Sequence, residues 1–214
     1  MDKHQIFPYN IWNCKIENYK ELNENLISEI YNMRNNDNTG FSKSNLGGWH
    51  SSPEPRLFDG EYINQLKKII TNLFSKELLK TDKHINITGI WANINYKGCV
   101  NSTHDHKGAY YSGVYYVKVP EDSGNLYLLN PSLWYTKVIN ENRELFTIDK
   151  DEYKQVEYKP EEGDIYFFTG EIPHGVTKNM SDEDRISIAF NFNFEDIFEG
   201  LQNDEDSNIK SKRM

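Results

Sequence analysis

Gly163-Asp164-Ile165-Tyr166-Phe167-Phe168-Thr169-Gly170-Glu171-Ile172-Pro173-His174 is a run of aromatic and branched residues, opened by a glycine and closed by Pro-His. Such side chains suit the half-buried surface of a pleated strand, and the flanking Gly and Pro punctuate it. The same texture recurs on both sides. Residues 85–96, 112–119, 125–130, 154–158, 175–178 and 185–194 read as further strands. Pro120-Glu121-Asp122-Ser123-Gly124 and Lys159-Pro160-Glu161-Glu162-Gly163 carry turn chemistry between them. Upstream the period changes. Residues 19–33 and 61–79 place apolar side chains at helical spacing, with Asp59 as the expected N-cap of the second helix. The breaker-rich stretch Asn45-Leu46-Gly47-Gly48-Trp49-His50-Ser51-Ser52-Pro53 separates them as a loop or edge segment. About seven strands after two helices predict a mainly β fold, a double-stranded β-helix (jelly roll) buttressed by the helices. The expected organisation is one domain over 1–194, with helical support in 1–84 and the jelly-roll core in 85–194. A polar tail follows over 195–214.

At 214 residues the chain is sized for one generous domain. Aromatic residues make up 14% of it, enough to build a core against a polar average. The net charge of −9, with only five arginines among 24 basic residues, disfavours general binding to nucleic acid. No run of about 18 apolar residues exists to span a membrane, and the first residues lack the basic-then-apolar pattern of a signal peptide. A cytoplasmic protein is expected. Cys14 and Cys99 have no metal-type spacing and are expected to be unpaired thiols.

The chemistry lies in the histidines. In a strand, residues i and i+2 share a face, so His104 and His106 of His104-Asp105-His106 can point into one space. His174 ends a second strand, and Arg185 follows eleven residues later in Arg185-Ile186-Ser187-Ile188-Ala189-Phe190-Asn191-Phe192. Two clustered ligands, one remote ligand and a downstream cation are what a mononuclear non-haem iron site with a dicarboxylate cosubstrate requires. His104, His106 and His174 are therefore the expected metal ligands. The alternative ligand is Asp105, which alternates to the opposite strand face and would need a bulge to turn it inward. His4 and His84 lack comparable company. His50, beside Trp49 in the glycine-bearing loop, is the further histidine within reach of the site.

These motifs resemble the 2-oxoglutarate- and Fe(II)-dependent oxygenase superfamily, with prolyl-hydroxylase-like ordering. More narrowly, they resemble a family of 2-oxoglutarate oxygenases common in marine bacteria and their phages. The resemblance runs through His104-Asp105-His106, Ser112-Gly113-Val114-Tyr115-Tyr116, Ser123-Gly124, Pro173-His174 and Arg185-Ile186-Ser187, about half the chain. It also takes in the 45–51 loop. It implies Fe(II), 2-oxoglutarate and O2 as cofactor and cosubstrates, and a hydroxylation releasing succinate and CO2. It assigns Arg185 and Ser187 to the distal carboxylate of 2-oxoglutarate and places Tyr96 where such chains carry a cosubstrate-contacting tyrosine. The superfamily's usual carboxylate ligand is replaced here by His106.

Several residues stay open at this level. Tyr115 and Tyr116 alternate, so one of them at most faces the site. Asn93 and Asn191 sit in apolar strands and must find partners inside. Arg185 could instead pair with Asp182 or Glu183 at the surface. The substrate rim is expected at Gly47-Gly48-Trp49-His50 and Pro131-Ser132-Leu133-Trp134-Tyr135. The competing functions are a cupin-like three-histidine enzyme that does not use 2-oxoglutarate, a zinc hydrolase, and a non-catalytic β-sandwich binding module. The primary substrate is unassigned.

Overall fold

The computed structural model describes residues 9–82, 85–131 and 155–193. The chain runs β1 (Ile11–Lys15), α1 (Tyr19–Asn36), β2 (Asn45–Leu46), β3 (Trp49–His50), α2 (Glu61–Asn72) and a π-helical turn, Leu73–Leu78. It continues through β4 (Gly89–Asn95), β5 (Val100–His104), β6 (Ala109–Lys118), β7 (Leu126–Leu129), β8 (Gln155–Tyr158), β9 (Asp164–Thr169), β10 (His174–Val176) and β11 (Arg185–Asn193). Two sheets form, in the orders β1-β9-β6-β11-β4-β3 and β2-β5-β10-β7-β8. This is the mainly β, double-stranded β-helix architecture expected from the sequence. His4, His84, residues 132–135 of the expected rim and the 195–214 tail lie outside the described residues. No described helix is long and apolar enough to cross a membrane.

The larger sheet has two unlike faces. Ile90, Ala92, Ile94, Tyr115, Val117, Ile165, Phe167, Ile186, Ile188, Phe190 and Phe192 point to the helices and build one core with Leu26, Ile30, Ile63, Leu66, Ile70 and Phe74. The alternate residues face the space between the sheets. There Tyr116, Leu126, Leu128, Tyr166, Phe168 and Ile172 form a smaller cluster.

The second helix is capped differently from the expectation. Gly60, not Asp59, is its N-cap and no side chain caps it locally. The N–H groups of Tyr62 and Ile63 instead donate to the Glu29 carboxylate of α1, at 3.1 and 2.9 Å. An acid at a helix N-terminus satisfies orphan donors and complements the dipole. Here it also ties the two helices together. Asp59 accepts from Asn64 Nδ2. The edge strand β1 and the five-residue β5 are not among the strands read from the sequence, because so short a strand carries too little period to register. β2 and β3 are edge strands within the 45–53 stretch that was expected to be a loop or edge segment.

Candidate metal centre

Antiparallel pairing of β10 with β5 sets His174 directly opposite His104. His106 arrives by another route than strand alternation. The strand ends at His104, and His106 sits on the following turn, where its N–H donates to Gly170 O (2.9 Å) and its C=O accepts from Ala109 N (2.9 Å). The loop after β9 therefore positions it. The ligand atoms of the three histidines all lie within 4.8 Å of one another, and His106 Nε2 is 3.2 Å from His174 Nε2. Metal–imidazole bonds of about 2.1 Å would place adjacent corners of a coordination sphere about 3 Å apart, so this pair is spaced for one ion.

Each ring is held from behind. His104 Nδ1 donates to Ser102 O and His174 Nδ1 to Ile172 O, both at 2.8 Å. His106 Nδ1 lies 3.1 Å from the Asn191 side-chain amide. Burial, with help from the His104 imidazole, pushes His106 down to about 4. Burial and the His104 and His106 imidazoles hold His174 well below its ordinary value, and burial lowers His104. The rings are neutral near pH 7, the form that ligates. Asp105 is not part of this cluster. It lines the open groove that His106 also borders.

Behind the histidines runs a narrow cavity of about 50 Å³, lined by Asn93, Asn101, Ser112, Ser187 and Ala189 among others. That is little more than one water's share of liquid volume, about 30 Å³, so a five-carbon dicarboxylate would require the lining side chains to shift. Beyond Asn101 lies Arg185, which is fully buried. Its Nη1 donates to Ser123 O (2.9 Å) and its Nη2 to Asn101 Oδ1 (3.4 Å), while Nε has no partner. The Ser123 carbonyl is presented by a turn that needs Gly124. There φ is +97°, and a Cβ would meet Thr177 O at 2.3 Å and Arg185 Nη1 at 3.1 Å.

The surface pairing considered for Arg185 does not form: Asp182 binds Lys97 and Glu183 binds Lys118. No ion pair to Arg185 occurs among the described residues. Ser187 stands opposite Asn93 on β4 and Tyr116 on β6, and the Tyr116 hydroxyl and Asn93 Oδ1 are buried without partners. Burial pushes the Tyr116 phenol well up, so it is neutral and able to donate. Tyr96, just past β4, is partly buried against the helix-side core, as is Tyr31. Of the alternating tyrosines, Tyr116 takes the inner face, while Tyr115 points to the helices and bonds Asn23.

Trp91 is a neighbour that the sequence reading did not single out. Its ring lies between His50 (centroids 5.5 Å apart, 10° between planes) and His106 (5.7 Å, 19°). His50 thus reaches the site through Trp91, and its Nδ1 bonds Ser51 O. A groove of about 630 Å³ opens beside His106, walled by Phe41, Pro53, Glu54, Trp91 and Lys107.

Residues 89–191 match a family model described as "Putative 2OG-Fe(II) oxygenase". No curated protein matches the sequence. Among solved structures, the fold is shared with a prolyl-4-hydroxylase from Pseudomonas putida, at 15% identity, 86% coverage of this chain, 92% of that one and a TM-score of 0.60. The viral collagen prolyl hydroxylase of Paramecium Bursaria Chlorella virus-1, solved with 2OG, shares 16% identity over 84% and 94% of the two chains, with a TM-score of 0.55. HygX from Streptomyces hygroscopicus, solved with nickel and 2-oxoglutarate, gives 11%, 86%, 83% and 0.60. Family match and fold agree with the histidine cluster: residues 89–191 resemble the 2OG-Fe(II) oxygenase family, and the fold is the one its solved structures share.

Proposed function

We propose that the protein is a 2-oxoglutarate- and Fe(II)-dependent dioxygenase that hydroxylates a substrate held in the groove beside His106. His104, His106 and His174 would hold the iron, and imidazole donors suit that metal. Arg185, aided by Ser187 and Tyr116, would take the distal carboxylate of 2-oxoglutarate. The observation that carries this reading is the buried guanidinium. A charge removed from water is retained only when paired, and Arg185 has no anion among the described residues. A dicarboxylate cosubstrate held by Arg185 would supply that anion, and would bring negative charge to a ligand set with no carboxylate.

When bound, iron and 2-oxoglutarate supply the oxygen-activating chemistry, with succinate and CO2 as the coproducts. The chain's own residues position and exclude. Ser102 O and Ile172 O orient two ligand rings, Trp91 covers the third, and Phe168 packs against His174 with ring centroids 4.6 Å apart. A cupin-like enzyme that needs no 2-oxoglutarate would have no use for a buried, unpaired arginine. Uptake of 2-oxoglutarate by the manganese-loaded protein, followed by succinate release under air with iron, tests the reading. Manganese binding without any 2-oxoglutarate binding would sink it.

A further inference from the structure

The three histidines differ in what holds Nδ1. A backbone carbonyl can only accept, so Ser102 O and Ile172 O keep the proton of His104 and His174 on Nδ1 and leave Nε2 as a lone pair. His106 faces no carbonyl. Its Nδ1 meets the Nδ2 end of the Asn191 amide at 3.1 Å, and the Oδ1 end accepts from Ser112 Oγ at 2.8 Å. An amide donor opposite Nδ1 means the proton of His106 sits on Nε2. There it bridges the 3.2 Å to the His174 Nε2 lone pair. The chain Ser112–Asn191–His106–His174 is then linked by hydrogen bonds from end to end with no ion in the cluster.

A metal ion changes every step of that chain. His106 can ligate through Nε2 only if its proton moves to Nδ1, and an NH2 group cannot accept it. Turning the Asn191 amide by 180° presents Oδ1 to the Nδ1 proton and Nδ2 to Ser112 Oγ. That hydroxyl can switch from donor to acceptor. The proton lost at Nε2 is regained at Nδ1, so charge is unchanged; both hydrogen bonds of the amide are kept, and the His106–His174 bond gives way to the two ligand bonds. The same heavy atoms close two networks, one suited to an empty cluster and one to a metal.

We propose that Asn191 is a positioning residue that sets the tautomer of His106, its amide turning over when a metal is taken up. The inference rests on reading the three histidines as the metal site. An amide suits this place because it can serve both networks. A carboxylate there could only accept, and would hold His106 in the ligating form at all times.

The test is nitrogen NMR of 15N-histidine-labelled protein, whose ring shifts separate protonated from bare nitrogen, with zinc alone as the probe. In metal-free wild type, His104 and His174 should be protonated at Nδ1 and His106 at Nε2. Zinc should move the His106 proton to Nδ1. In Asn191→Asp, His106 should carry its proton on Nδ1 before any zinc is added, and zinc should bind more tightly. Asn191→Ala should weaken zinc by about 10- to 100-fold, the usual cost of losing a partner behind a ligand. A metal-free wild type with His106 already protonated at Nδ1 overturns the proposal, and so does an Asn191→Ala variant with undiminished zinc affinity. The tautomer shift in Asn191→Asp needs no metal. Failure of the wild type to bind zinc would therefore strike the metal reading of the site, while that shift still decides the role of Asn191.

Discussion

The two faces of the larger sheet are built from the same strands and share almost nothing else. On β11, Ile186, Ile188, Phe190 and Phe192 are fully buried against the helices, while Arg185, Ser187, Ala189 and Asn191 look between the sheets. β4 repeats the contrast, with Ile90, Ala92 and Ile94 on one side and Trp91, Asn93 and Asn95 on the other. One face gains stability from apolar burial. The other carries a bare guanidinium nitrogen, an unpartnered phenol and unpartnered amide oxygens, each of which costs free energy until something binds it. A two-residue period lets one strand serve both ends at once. The lesson is that stability and chemistry are separated here by side of sheet, not by region of chain.

That separation can be broken most sharply at the histidines. His104→Ala or His174→Ala should each abolish the binding of about one iron(II) per chain and leave the fold intact, as checked by anaerobic metal analysis beside a melting curve. Full iron occupancy in both variants would move the site elsewhere. The outer face should behave the opposite way. Phe192 stacks on Phe74 with centroids 3.8 Å apart, so Phe192→Ala should cost about 3–5 kcal/mol of stability. Its folded fraction should still bind metal with wild-type affinity.

Arg185→Ala should spare the metal and raise the 2-oxoglutarate dissociation constant about 30- to 200-fold. That corresponds to about 2–3 kcal/mol for a charged hydrogen-bonding partner. Arg185→Lys should recover only part, because an ammonium cannot reproduce the planar fork. Titration with manganese in place of iron measures both, and an unchanged constant in Arg185→Ala removes the arginine from the site.

Acid should act on the inner face through its buried histidines. The His106 pKa falls from 6.5 to about 4 on folding, chiefly through burial. Between those values the unfolded chain takes up a proton that the folded one refuses. Stability should therefore hold above pH 6.5, fall as pH drops toward 4, and level off below. This residue contributes a slope of at most about 1.4 kcal/mol per pH unit. Denaturant melts of metal-free protein across that range, compared with His106→Gln, would show a flatter profile in the variant. The smallest effect is expected at Asp105. Asp105→Ala should change metal affinity only mildly, and complete loss of metal would make it a ligand after all.

Much was legible in the residues themselves, for a physical reason. Strand alternation, turn glycines and helical spacing are encoded within a few positions, so the jelly roll and the two faces of β11 could be read directly. The same local logic brought His104, His174, Arg185 and Ser187 to attention. Tertiary structure decided what depends on partners far along the chain. It placed His106 through a bond to Gly170, 64 residues away in sequence, where strand period alone had suggested the right face for the wrong reason. It turned Tyr96 toward the helices and Tyr116 toward the arginine, capped α2 with Glu29 of α1, and set Trp91 and Asn191 against His106. It also gave Asp182 and Glu183 to lysines, leaving Arg185 without an acid. Periodicity says which side of a strand a residue occupies; only the packing of distant strands against one another says what it will meet there.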